Sequence, residues 1–251
     1  MVGMLLENYL NTAALYRDTT GIDYDAITDD MAQSAEVKVA ESYVNENNGT
    51  DCFFVNYLVY PILAILLSCI PMVMLTMNET DLRRRNFCSP IKNSFMTTQL
   101  FLGNGVIALL TYVMLLAIIF LCRRSVFSGT RGILWAANIF LFLLISLALS
   151  FLFSNISKKS TVTPIANLVS LGTCFLGGVF VPQAYLSDGL LKAATINPAF
   201  WYIKANEEIN RLTEYSFSSM QTLGRYALIE LCFAVAFFAL ALAIGKRRNT
   251  Q

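Results

Sequence analysis

Histidine is absent from the 251 residues, so no imidazole is available as general base, proton relay or zinc ligand. Chemistry would have to come from carboxylates or thiols. The run DYDAITDD sets Asp23, Asp25, Asp29 and Asp30 close together, but it lacks the glycine and closing glutamate of a helix-loop-helix calcium loop. It reads as a solvated acidic helix start. Glu230 is the one formal charge well inside an apolar run, where such a group can mark an ion pathway. Lying about one turn from the end of its run, it reads instead as an interfacial carboxylate that reaches toward water. Cys69, Cys122, Cys174 and Cys232 sit in or at the ends of apolar runs, Cys88 in a basic loop, and Cys52 alone in an acidic region. All six read as packing residues. No catalytic group, metal site or cofactor is expected, because an enzyme inside the membrane would need a nucleophile with a base, or a metal cluster.

A second group of residues bears on where a chain must break or dock. FLGGVFVPQ places Gly177 and Gly178 before Pro182, so a helix arriving there comes apart. QAYLSDGLLKAATINPAFWYI follows, with Leu186, Leu190, Leu191 and Ala194 on one side of a short external helix. Phe200, Trp201 and Tyr202 then suit the headgroup region as an interfacial anchor. Irregular backbone at membrane depth is tolerated where protein buries it or water reaches it, so Gly177, Gly178 and Pro182 suggest an external gate or re-entrant lip. The alternative is close helix packing at the glycines. Asn104, Asn138 and Asn167 read as hydrogen-bond formers between helices.

The basic loop NETDLRRRNFCSPIKNSFMTT carries Arg83, Arg84, Arg85, Phe87, Ser89 and Pro90. Its charge alone would anchor topology. Its length, acidic start and break at Ser89 and Pro90 also suit a short helix, a bend and a second helical start, a shape that could enter a partner's cleft.

These residues are positioned by apolar elements. With 56% hydrophobic residues, 14% charged residues and a mean hydropathy of +0.56, the chain is too apolar for a soluble domain of its size. Five runs approach or reach the length of a membrane-spanning helix: Phe54–Met77, Leu100–Cys122, Gly132–Phe153, Val162–Val181 and Tyr226–Gly245. Pro61 and Pro71 predict a kink in the first. The expected fold is an all-α polytopic membrane protein, with an extracytoplasmic helical segment over 1–52 and a transmembrane domain over 53–251.

Lys and Arg density places the 79–95 loop, the turn with Lys158 and Lys159, and the tail with Lys246, Arg247 and Arg248 in the cytoplasm. The amino-terminal segment and the stretch after Pro182 are then outside, and the loop with Arg123, Arg124 and Arg131 dissents. MVGMLLENYLNTAALYRD has Leu5, Tyr9, Ala13 and Tyr16 at helical spacing and resembles no signal peptide or span. An upstream spanning helix is therefore expected before it. Plasma-membrane placement follows, with the carboxyl terminus cytoplasmic.

DLRRRNFCSPIKNSF, followed by TPIANLVSLGTCFLGGVFVPQAYLSDGLLKAATINPAFWYIKANEEI, resembles the type 2 ATP-binding-cassette exporter permeases of Gram-positive bacteria. The likeness runs from about Tyr57 to Gly245. It implies a permease subunit driven by cytoplasmic ATPase subunits and paired with a second permease chain, identical or related, in the lipid bilayer. It also implies that Arg83, Arg84, Arg85, Ser89 and Pro90 lie in the ATPase-contacting loop, and that Gly177, Gly178 and Pro182 lie in the gate. No nucleic-acid partner is expected. A secondary transporter and a membrane sensor or scaffold are the competing readings; the first would need buried ionisable residues or internal repeats, of which the sequence offers only Glu230.

Overall fold

The computed structural model describes residues 46–79, 81, 82, 84, 93–127, 129–183, 187–212 and 217–249. The expectations for residues 1–45, for Arg83, Arg85, Phe87, Ser89 and Pro90, and for Leu186 fall outside them. Contacts group Asn47–Gln251 as one compact unit. In chain order its helices are α1 (Glu46–Tyr57), α2 (Val59–Met77), α3 (Asn93–Cys122), a 3-10 turn (Arg124–Phe127), α4 (Gly129–Ile156), α5 (Val162–Gly177), α6 (Asp188–Ala194), α7 (Pro198–Arg211) and α8 (Phe217–Asn249).

Four helical stretches are long and apolar enough to cross a membrane: Thr50–Met77, Thr98–Cys122, Gly129–Ile156 and Met220–Gly245. The fifth apolar run forms the shorter α5. The protein is thus an all-α polytopic membrane protein. Only helices let a chain satisfy its own backbone in lipid without closing a barrel.

The helical run of the first span is interrupted for one residue at Leu58, between α1 and α2, where the backbone stays in the helical region. Pro61 has no N–H to give the Tyr57 carbonyl, and Leu58 N–H turns to the Val55 carbonyl at 3.2 Å instead. Pro71 lies within a continuous α2. The helix also starts earlier than the apolar run, so Asp51 and Cys52, expected in the external segment, belong to it and are buried. Asp51 is brought in by Arg123, whose Nη1 lies 3.7 Å from its Oδ1 and whose guanidinium stands 5.2 Å from the Phe54 ring centroid.

α4 is the central helix, packing against α2, α3, α7 and α8. Its face of Trp135, Ile139, Phe142, Leu143 and Ile145 is closed, as is the α2 face of Val59, Ile62, Leu63, Leu66, Leu67 and Ile70. Apolar packing of this kind gains van der Waals contact but little hydrophobic free energy when lipid is the alternative. Polar contacts therefore set the register. Tyr112 Oη donates to the Ala136 carbonyl at 3.0 Å, and Phe101 stacks on Phe151 at 4.7 Å, so α3 runs antiparallel to α4. Asn155 Nδ2 donates to the Ala241 carbonyl at 2.9 Å, fixing the end of α4 beside α8.

Two ends of the bundle can be told apart. One gathers Asp51, the 3-10 turn, the start of α4 and Leu212, whose carbonyl accepts from Arg131 Nη2 at 2.8 Å. The basic loop that disagreed with charge density thus spends Arg123 and Arg131 on structural contacts, and Arg124 lies over the Phe120 ring at 5.7 Å. The other end joins Glu79 to Lys159 by an ion pair, so the segment after α2 and the turn before α5 share a side. Replacing Arg123 by Ala leaves Asp51 buried without its cation. The variant should lose about 1–3 kcal/mol of stability, seen as a lower melting temperature in lipid nanodiscs, and Asp51→Asn should restore most of it.

Candidate functional site

The break after α5 organises the residues around it. At 16 residues, α5 is about 24 Å long, short of the ~30 Å hydrocarbon thickness. It stops because Gly178 adopts φ 93°, a left-handed conformation that glycine takes without steric penalty. The amides of Gly178 and Val179 then both reach the Cys174 carbonyl, capping the helix end. Gly177 serves a different purpose: a methyl added there would stand 2.7 Å from Cβ of Ala199. α5 and α7 meet backbone to backbone at this point.

Gln183 closes the turn. It is 7% exposed, and its Nε2 donates to the Gly177 carbonyl at 3.0 Å and the Phe200 carbonyl at 3.2 Å. One buried amide therefore serves carbonyls of both helices, groups that would be costly to leave bare in an apolar interior. Sequence reasoning missed it; a glutamine directly after Pro182 in an apolar stretch was the available signal. Pro182 itself is exposed. Asn197 makes the second tie: its Nδ2 donates to the Thr173 carbonyl at 2.7 Å, while its Oδ1 accepts from Ala199 N–H and caps α7, with Pro198 in the first turn.

α7 was not foreseen as a helix of this length. It starts beside α5 and runs antiparallel to α4 toward the Arg131 end, as the Asn138–Asn206 and Arg131–Leu212 contacts fix. Its inner face is held by a chain of asparagines. Asn138 Nδ2 donates to Asn206 Oδ1 at 2.8 Å and to the Tyr202 carbonyl at 3.2 Å; Asn206 Nδ2 donates to Asn56 Oδ1 at 2.9 Å. Tyr202 Oη donates to the Val55 carbonyl at 2.8 Å, and Cys52 Sγ lies 3.7 Å from the Asn206 carbonyl. Asn206 and Tyr202 are fully buried. On the outer side of α7, burial pushes the Glu207 carboxyl above its ordinary range, against the opposing pull of Arg211 and Lys204.

Several expected positions shift accordingly. Phe200 and Tyr202, expected as headgroup anchors, lie inside the protein at 2% and 0% exposure, because the asparagine chain and Gln183 draw α7 inward. Trp201 is half-buried, with Nε1 donating to the Thr195 carbonyl at 2.9 Å. Glu230 does not reach toward water: it is wholly buried and neither oxygen has a hydrogen-bond partner among the described residues. Asn138 bridges helices as expected, whereas Asn167 is exposed and Asn104 is buried with no hydrogen-bond partner for its amide among the described residues. In the short α6, Ala194 is buried but Leu190 is exposed. Of the basic-loop residues, Arg84 is helical and exposed.

The arrangement is a helix end closed by a few hydrogen bonds and one close approach. Gly177→Ala should cost roughly 1–3 kcal/mol through the clash with Ala199. Gly172→Ala, whose methyl meets open space, is the control and should leave the melting temperature unchanged or slightly higher.

A family model described as ABC-2 family transporter protein matches residues 1–243. Neither a curated protein nor a solved structure matches the chain. The match takes in the apolar helices and the broken α5 with its closing segment, and on that extent the chain belongs to the ABC-2 family of transporter membrane proteins.

Proposed function

We propose that this chain is the permease of an ATP-driven exporter, that the break after α5 is its external gate, and that the 79–95 loop docks a cytoplasmic ATPase. The family supports a permease component of an ABC transporter. The observation that carries the gate is the closure of an interrupted helix by Gln183 and Asn197. Gly177, Gly178 and Pro182 form the turn that opens, and opening separates Gly177 from Ala199. The permease works with a second chain, identical or related, so that two such turns face one route.

ATP is bound and hydrolysed outside the membrane on the partner, so force must arrive through an element joined rigidly to the spans. The loop between α2 and α3 connects two spans directly. Arg83, Arg84, Arg85, Phe87, Ser89 and Pro90 are its proposed contact residues. The ion pair of Glu79 with Lys159 supports a second link, to the turn that leads into α5 and hence toward the gate.

The proposed orientation puts the Arg123 end outside and the Lys159 end in the cytoplasm. Cys52 is too buried to report it. Thr130 and Ser160, both exposed and at opposite ends, can. In intact cells, with Cys122→Ser to remove the exposed native thiol at that end, a membrane-impermeant maleimide should label Thr130→Cys and spare Ser160→Cys; the reverse pattern would invert the topology.

The docking reading is tested on native membranes. A tagged chain should co-purify with an ATP-binding-cassette ATPase, Phe87→Cys should cross-link to it, and Phe87→Asp should reduce the recovered ATPase about tenfold or more without altering Thr130→Cys labelling. Normal recovery of ATPase with Phe87→Asp, and no cross-link from any position in 79–95, would leave the loop as a topology anchor only.

A further inference from the structure

α7 is tied at one end to the break after α5 and at the other to α1. Near its start, Ala199 lies against Gly177 and the Phe200 carbonyl accepts from Gln183. Two turns on, Asn206 meets Asn56, and between them Tyr202 Oη reaches the Val55 carbonyl. The 14-residue helix has a continuous backbone, so these two sets of contacts move together unless one of them breaks.

The Asn206 amide is engaged at both ends. Its oxygen accepts from Asn138 and its nitrogen donates to Asn56, in a wholly buried position where neither group can turn to water. Sliding α1 along α7 by one residue would break the Asn56 contact. α1 is also continuous in sequence with the acidic amino-terminal segment.

We propose that Asn56 and Asn206 are positioning residues of the gate: they set the height of α7 against α1, and α7 in turn holds the Gly177–Gln183 turn shut. A displacement of α1 is thereby relayed to the turn through α7, in parallel with the ring contact of Tyr57 to Phe180 at 5.5 Å. The inference rests on the gate reading of that turn.

The test follows the accessibility of a cysteine at Val179, which is 2% exposed in the closed turn and directly follows Gly178. Purified protein in lipid nanodiscs, with Cys122→Ser to remove an exposed thiol, is labelled with a maleimide through both faces of the disc. Asn56→Ala should speed labelling of Val179→Cys about tenfold, as one lost buried hydrogen bond would. The Asn56→Ala/Asn206→Ala pair should label no faster than Asn206→Ala alone, since both break one link. A merely structural role would lower the melting temperature and leave the labelling rate unchanged.

Gln183→Ala separates the two readings, because it loosens the turn directly. If Gln183→Ala speeds labelling and Asn56→Ala does not, or if the effects of Asn56→Ala and Asn206→Ala add, the relay is overturned and the gate reading survives. If Gln183→Ala has no effect, both fall together. Should Asn56→Ala not accumulate in membranes, Tyr202→Phe removes only the hydroxyl that holds Val55. It should speed labelling about threefold, and an unchanged rate would overturn the proposal.

Discussion

The buried amide of Asn206 is the contact on which the placement of the closing segment depends. Helices in lipid gain little from hiding apolar surface from one another, so a few inter-helix hydrogen bonds, each worth roughly 0.6–2 kcal/mol, decide which helix sits where. α7 is the helix that needs such a decision. Its sequence, PAFWYIKANEEINR, is half polar and would lie equally well along a membrane surface. Asn138 on α4 and Asn56 on α1 draw it inward, and burial of Phe200, Tyr202 and Ile203 follows.

The second constraint is that a broken helix must satisfy its own backbone. α5 ends before it has crossed, so the carbonyls of its last turn and the first amides of α7 would be bare. Gly178 and Val179 N–H take the Cys174 carbonyl, Asn197 serves Thr173 and Ala199, and Gln183 serves Gly177 and Phe200. The closure uses three side-chain amides or backbone caps and no ion pair among the described residues. On the proposed gate reading, bonds this few are within reach of the free energy that a nucleotide-hydrolysing partner would supply.

Position along the membrane normal is legible in this sequence, whereas position around each helix is not. The apolar runs of α2, α3, α4 and α8 need only hydropathy to be seen, and the break at Gly177 and Gly178 needs only local backbone preference. Glu230, Phe200 and Tyr202 were misread because hydropathy cannot tell which side of a helix faces a neighbour. α7 escaped for a related reason: the residues that bury it, Asn56 and Asn138, lie 150 and 68 positions away from Asn206. Proline in the first span marked an interruption, yet the carbonyl it orphans lies four residues earlier, and the helical run is interrupted at Leu58.

The central claim is that α7 is an interior helix locked to α1 and α4, and that this lock sets the closed state of the break after α5. Amide hydrogen exchange of residues 200–209 in lipid nanodiscs measures it most directly, because a locked interior helix and a surface helix differ in how often their backbone opens to water. The account predicts protection of these amides comparable to residues 138–146 of α4. Exchange as fast as that of an amphipathic helix lying on the membrane surface would contradict it.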